Sequence, residues 1–168
     1  MKGATINGPM TLYHITDIRD DKVDALSIYV HSTQVQGLEY ASEYDYDIPN
    51  DAIPLPNGTY REVKESMKAF VKEIHDYLRA HCVGDDFEVK VGGHYWCRGI
   101  ETITEINGNK TKYNLFRIEP ENISPIWTGE GFVDSTMECG AEISDEDFNE
   151  IKQRFNQYVA YLRNLLVG

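Results

Sequence analysis

Hydrophobic and polar residues follow two rhythms along this chain. Around residues 87–118 the period is two. Phe87, Val89 and Val91 alternate with Glu88 and Lys90, as in a strand with one buried face. Gly92-Gly93 interrupts the pattern and marks a bulge or bend. His94-Tyr95-Trp96-Cys97 then resumes with strand-favouring aromatics. Ile100–Ile106 and Thr111–Ile118 flank Asn107-Gly108, a pair that tolerates the positive φ of a tight turn, so the two runs are expected to pair antiparallel. Asn109-Lys110 leaves open a four-residue loop and hence the register. Upstream, Thr11–Ile18 and Leu26–Ser32 read as two more strands, joined by a polar connection of hairpin type.

The second rhythm is helical. Thr59-Tyr60-Arg61-Glu62 fits a capping box, and Val63, Met67, Phe70, Val71, Ile74, Tyr77 and Leu78 follow at spacings of three and four until Gly84. Lys64, Glu65, Lys68, Lys72, Asp76 and Arg79 form the polar face, expected to be solvated with i,i+4 pairs. Ser144 caps a second helix whose first turn carries Asp145, Glu146 and Asp147 at the positive end of the dipole. Its apolar positions are Phe148, Ile151, Phe155, Tyr158, Leu162 and Leu165. That rhythm predicts core packing and also fits the seam of a homodimer. Between these elements, Ile123–Trp127 and Phe132–Met137 read as short edge strands or loop. The expected fold is a single α+β domain over residues 1–168, with a mainly antiparallel sheet of about five strands against two amphipathic helices. A long irregular segment, 36–59, interrupts it with Pro49, Pro54, Pro56 and Asn57-Gly58.

Composition sharpens this picture through charge. The net charge is −12, and it is uneven: 1–59 sums to −6, 60–118 to +1 and 119–168 to −7. Direct contact with nucleic-acid phosphate or anionic lipid is disfavoured, because it rests on clustered Lys and Arg. A partner with a basic surface is favoured, although acidity also serves plain solubility. No apolar run is long enough to cross a bilayer, and Met1–Met10 lacks the apolar stretch of a signal peptide. Three widely spaced cysteines, Cys82, Cys97 and Cys139, fit reduced thiols in the cytoplasm.

The candidate site lies in the irregular segment. Glu39, Tyr40, Glu43, Tyr44, Asp45, Tyr46 and Asp47 interleave carboxylates with tyrosines. Tyrosine gives contact area at low entropic cost, and carboxylates attract Arg and Lys. Such a run suits recognition of a basic surface; it equally suits tyrosines folded back on the domain. The resulting expectation is a macromolecule-binding protein rather than an enzyme. Its sharpest form is an inhibitor of phage anti-defence type, presenting carboxylates where a nucleic-acid-binding protein expects phosphates. The alternative is an enzyme or small-ligand domain with a pocket between sheet and helices around Gly92-Gly93, Tyr95 and Trp96.

Specific chemistry finds little footing. His94 and Cys97 stand three apart, and strand geometry sends them to opposite faces. Neither the 17–28 run nor the 45–56 run places glycine and glutamate as a calcium loop requires. Gly129-Glu130-Gly131 is too short for a dinucleotide fingerprint. No metal, cofactor or catalytic set is expected.

Overall fold

A computed structural model of the chain describes residues 8–19, 22–37, 42–44, 53–84 and 86–167. The class is α+β, as expected, but its inventory is larger. Ten strands and three helices occur among the described residues, not five and two. The strands are β1 (Met10–Arg19), β2 (Lys22–His31), β3 (Gln34–Gly37), β4 (Ser42–Tyr44), β5 (Ile53–Pro54), β6 (His94–Trp96), β7 (Ile100–Asn107), β8 (Lys110–Glu119), β9 (Asn122–Phe132) and β10 (Ala141–Ile143). The helices are α1 (Asn57–His81), α2 (Val133–Cys139) and α3 (Asp145–Val167). Nine strands follow the order β10-β6-β7-β8-β9-β3-β2-β1-β5, and β4 shares with β3 the edge of β2 that β1 leaves open. The sheet is mixed because β5 runs parallel to β1. No helix among the described residues is long and apolar enough to cross a membrane.

The extra strands are β3, β4, β5, β9 and β10. The segment expected to be irregular, 36–59, holds the end of β3, then β4 and β5, and α1 begins within it. β9 is a single 11-residue strand rather than a short edge piece. Its apolar pattern breaks at Pro125 because the register with β8 shifts there, between Leu115 opposite Trp127 and Arg117 opposite Ser124. Proline sits at such a bulge without costing a ladder bond. Phe132–Met137 is not a strand: it ends β9 and starts α2.

The central hairpin forms as the Asn-Gly signal predicts. Asn107 pairs with Lys110, so the loop is the two-residue Gly108-Asn109, and Gly108 takes φ 63°. The α1 start differs from expectation. The helix begins at Asn57 behind Pro56, with no side-chain cap, and Thr59 lies inside it. Proline ahead of a first turn suffices to set the chain direction there. The helix stops at His81, before Gly84. The cap at α3 is as read: Ser144 Oγ accepts the Asp147 N–H at 3.1 Å.

Both long helices press their apolar stripes on one face of the sheet. Val63, Met67, Phe70, Val71, Ile74 and Leu78 of α1 meet Ile151, Phe155, Tyr158, Val159 and Leu162 of α3 over Leu12, Ile28, Val30, Ile100, Phe116, Ile118 and Ile123. Each such side chain, fully buried, contributes roughly 1.5–3 kcal/mol of transfer free energy. The residues expected to line a homodimer seam are therefore largely spent inside the chain.

Phe87–Val91 carries strand-like alternation yet is not a strand. Its would-be partner is a side chain. The fully buried Tyr95 hydroxyl donates to the Glu88 carbonyl at 3.0 Å and accepts the Lys90 N–H at 2.9 Å. Lys90–Gly93 then turns, with Gly93 N–H bonded to Lys90 O and Gly92 at φ 84°, the geometry of a type II turn. The ring needs Gly93: an added Cβ there would stand 2.3 Å from the Tyr95 hydroxyl. On this outer face Tyr95, Val89 and Ile103 form a second cluster with Phe87, Ile106, Tyr113 and Val133 packed around it.

Two glycines should thus respond differently. Gly93→Ala must displace the Tyr95 ring and is expected to cost roughly 1–3 kcal/mol by overpacking. Gly108→Ala meets open space and should cost about 1 kcal/mol for its positive φ alone. Urea titration of both variants measures the difference. Equal midpoints would overturn the account of Tyr95 as the buttress of 87–91.

Candidate partner-binding surface

The polar edges of α1 and α3 border a shallow, open groove of about 740 Å³, lined by residues of both helices. Glu62, Glu65 and Glu73 recur along one edge of α1 at three- and eight-residue offsets, and Tyr158 and Tyr161 face them from α3. The floor is aromatic. Tyr158 stacks on Phe70 with centroids 4.6 Å apart and planes 9° from parallel, and Tyr161 continues the stack at 6.2 Å. Tyr158 is buried, whereas Tyr161 is 46% exposed.

The hydrogen bonds fix the floor in place. Ser66 Oγ donates to the Val63 carbonyl at 2.7 Å, so the Tyr158 hydroxyl, 2.8 Å away, donates to Ser66. Burial pushes the Tyr158 phenol well above its ordinary value, keeping it a donor near neutral pH. The one lining cation, Arg154, is engaged by carboxylates on both helices: 3.5 Å from Glu73 and 3.0 Å from Glu150. Its guanidinium also stands 4.4 Å over the Tyr77 ring. Tyr77 in turn donates to Asp147 at 2.7 Å, and that carboxylate holds its phenol up at about 12. Three exposed carboxylates thus border an aromatic floor with a single arginine among them.

The groove is not where the sequence pointed. Glu39, Tyr40, Asp45, Tyr46 and Asp47 lie outside the described residues. Glu43 and Tyr44 fall in β4, their backbones opposite Asp24 and Val23, with side chains outside the description. Among the described acids, Asp17 and Asp24 lie on β1 and β2, away from β10, the opposite edge of the sheet that leads into the acidic start of α3. The groove acids come from the middle third, which sequence bookkeeping scored as neutral. Of the remaining α1 charges, Lys68, Lys72, Asp76 and Arg79 form a solvated face, whereas the Lys64 amine is buried beside Gly37 of β3. Lys72 and Arg79 bond Asp76 at 2.6 and 3.0 Å, and the Lys72 hydrogen bond is the main reason the Asp76 carboxyl lies below its ordinary value.

Tyr95 and Trp96, named for an alternative pocket, point to opposite faces. Tyr95 belongs to the outer cluster and Trp96 packs against the main core. The apolar interior between sheet and helices is filled by Ile100, Phe116 and Phe155, while Gly92 and Gly93, with His94, Glu142 and Asp145, line a separate cavity of about 340 Å³ that neither Tyr95 nor Trp96 lines. Gly129-Glu130-Gly131 has a structural use: Tyr113, opposite Gly129, lays its ring over both glycines, and a Cβ at Gly129 would stand 2.7 Å from it.

His94 and Cys97 occupy different surroundings. The His94 ring stacks on Phe148 at 4.0 Å and 8°. Its Nδ1 lies 2.7 Å from Thr102 Oγ1 and its Nε2 2.9 Å from Asp145 Oδ1. A neutral ring satisfies both contacts, with Thr102 donating to Nδ1 and Nε2–H donating to Asp145. Both nitrogens are then occupied, and the imidazole clips the start of α3 to β6 and β7. Burial holds the His94 value below the ordinary 6.5, against the opposing pull of Asp145. That pull is weak because the Asp145 side chain is 82% exposed and so well solvated.

Comparison with family models, with curated proteins and with solved structures finds no match to this chain. The functional reading therefore rests on the geometry alone.

The His94 geometry has a pH signature. The unfolded chain takes up the imidazole proton first, near 6.5. The stability associated with neutral His94 is thus complete above that value and declines as pH falls from it toward the lower folded value. His94→Gln should flatten that part of the stability–pH curve. Urea midpoints between about pH 7.5 and 5 measure it, and an unchanged slope in the variant would contradict the assignment.

Proposed function

We propose that this protein works by binding a macromolecular partner through that partner's basic surface. The observation that carries the reading is the α1–α3 groove, where exposed Glu62, Glu65 and Glu73 border the stacked Phe70, Tyr158 and Tyr161. Rigid aromatic rings supply contact area, and carboxylates steer and orient cationic side chains. A segment with Arg or Lys flanking an apolar anchor is the complementary ligand. The overall charge of −12 extends the same bias over longer range. The partner class that fits is a nucleic-acid-binding protein, whose phosphate-binding surface the carboxylates would occupy as an inhibitor. The cysteine usage supports a reducing compartment, the cytoplasm, as the place of action.

The test is titration of a labelled helical peptide bearing Arg and Lys around Leu and Phe anchors. Glu62→Gln with Glu65→Gln should weaken binding roughly fivefold to tenfold at low salt, in line with two rim charges. Tyr161→Ala should weaken it comparably. Raising salt from about 0.05 to 0.5 M should reduce affinity steeply. Affinity indifferent to both salt and the groove substitutions would sink the proposal. Loss on Asp45→Lys with Asp47→Lys, with the groove variants unaffected, would move the site to the 39–47 run.

A further inference from the structure

Two of the three cysteines, well separated in sequence, are brought together at the open end of the β6–β10 pair. These strands run antiparallel with Ala141 opposite Trp96, so one step further places Gly140 opposite Cys97. An ideal Cβ on Gly140 would stand 3.0 Å from Cys97 Sγ; the missing side chain is the space the sulfur occupies. The next residue back, Cys139, ends α2, where its thiol donates to the Ser135 carbonyl at 2.9 Å. It also lies within interacting distance of the Cys97 thiol. Cys139 is exposed and Cys97 is half-buried.

The two thiols lie beside an acidic, partly buried group. The Glu101 carboxylate contacts Cys97 and accepts from Thr136 Oγ1 at 3.4 Å, with Arg98 near enough to favour its charge. Burial is the largest influence on both Cys97 and Glu101, and it raises each above its ordinary value. Cys97 therefore stays protonated, beside a carboxylate more basic than usual.

We infer that Cys97 and Cys139 form a reversible disulfide on exposure to a small-molecule disulfide, with Cys139 as the attacking thiol, Cys97 as the resolving thiol and Glu101 as its base. The Cys139 thiolate displaces one thiolate from the reagent, giving a mixed disulfide and one small thiol. Cys97 Sγ then attacks Cys139 Sγ while its proton passes to Glu101, and the second small thiolate leaves and takes up that proton. Two protein thiols are oxidised to one S–S bond, and the reagent is reduced to two thiols. In a reducing compartment such a bond is transient, as redox-sensing disulfides are. Once formed, it ties the end of α2 to the β6–β7 loop. This site is independent of the groove.

The experiment treats the full chain with oxidised glutathione and follows intact mass and thiol count. Wild type should lose two of its three alkylatable thiols, become lighter by two hydrogen atoms and retain no adduct. Peptide mapping should join residues 97 and 139. Cys97→Ser should stop at a glutathione adduct on Cys139, and Cys139→Ser should form neither adduct nor link at these positions. Glu101→Gln should resolve the adduct at least about tenfold more slowly, the loss expected when a general base is removed. Cys82→Ser should behave as wild type. A link that maps to Cys82, an adduct persisting in wild type, or three thiols still free would each overturn the inference. The wild-type mapping decides even if a variant fails to fold.

Discussion

The structure depends on the burial of two helical stripes against a sheet that its strands alone hold together weakly. One group of strands, β1 to β5, comes before α1, and the other, β6 to β10, comes after it. In strand order they meet only where β3 joins β9, through two registered pairs, Val35 with Ile123 and Gln36 with Asn122. The Gly37 N–H to Glu121 carbonyl bond at 2.8 Å and Ser124 Oγ on Thr33 O at 3.4 Å extend that seam a little. A few hydrogen bonds, each worth about 1 kcal/mol net, are a slender tie between halves of this size. Leu12, Ile28 and Val30 from one half and Ile100, Phe116 and Ile118 from the other instead share the underside of α1 and α3. Their common burial is what makes the two strand groups one body.

That division explains what could be read from sequence. The parts legible in advance are those whose partners are local. Asn107-Gly108 specifies its own hairpin, Ser144 caps its own helix, and the stripes of α1 and α3 have periods that no strand would show. The parts that were not legible are decided by distant groups. Phe87–Val91 alternates like a strand, yet its ladder partner is one hydroxyl, that of Tyr95. β9 hides behind Pro125, whose bulge becomes visible only with β8 alongside. β4, β5 and β10 have two or three residues each and exist because a neighbouring edge lies open. α2 is seven residues in a stretch whose exposed Phe132 and Met137 mimic an edge strand.

The candidate surface was invisible for a related reason. It consists of the margins of two helices far apart in sequence, and its acids belong to a third of the chain with nearly balanced charge. Net charge over a segment says nothing about which residues share a helical edge. Along α1, Lys72 and Arg79 pair with Asp76 on one flank, leaving Glu62, Glu65 and Glu73 to border the groove. The chemistry that organises the groove is therefore sorting by helical phase, not composition.

Tyr158 links this surface to the core. The residue is a member of the main apolar cluster and also the central tile of the groove floor, stacked on Phe70, which itself reaches Phe155 at 6.4 Å. Arg154 and Tyr77 add polar ties between the same two helices through Glu73, Glu150 and Asp147. A ligand seated on Tyr158 would thus touch the packing that unites the two halves of the sheet. Because that packing is dense, the floor is set before any partner arrives, and little ordering entropy remains to oppose binding. The acidic rim differs: Glu73 is tied to Arg154 and Glu65 lies 4.0 Å from Lys68, so exposed Glu62 would give up the most side-chain freedom were a ligand to bind. If the groove binds as proposed, affinity would come mainly from the rigid rings, and the carboxylates would govern encounter and selectivity.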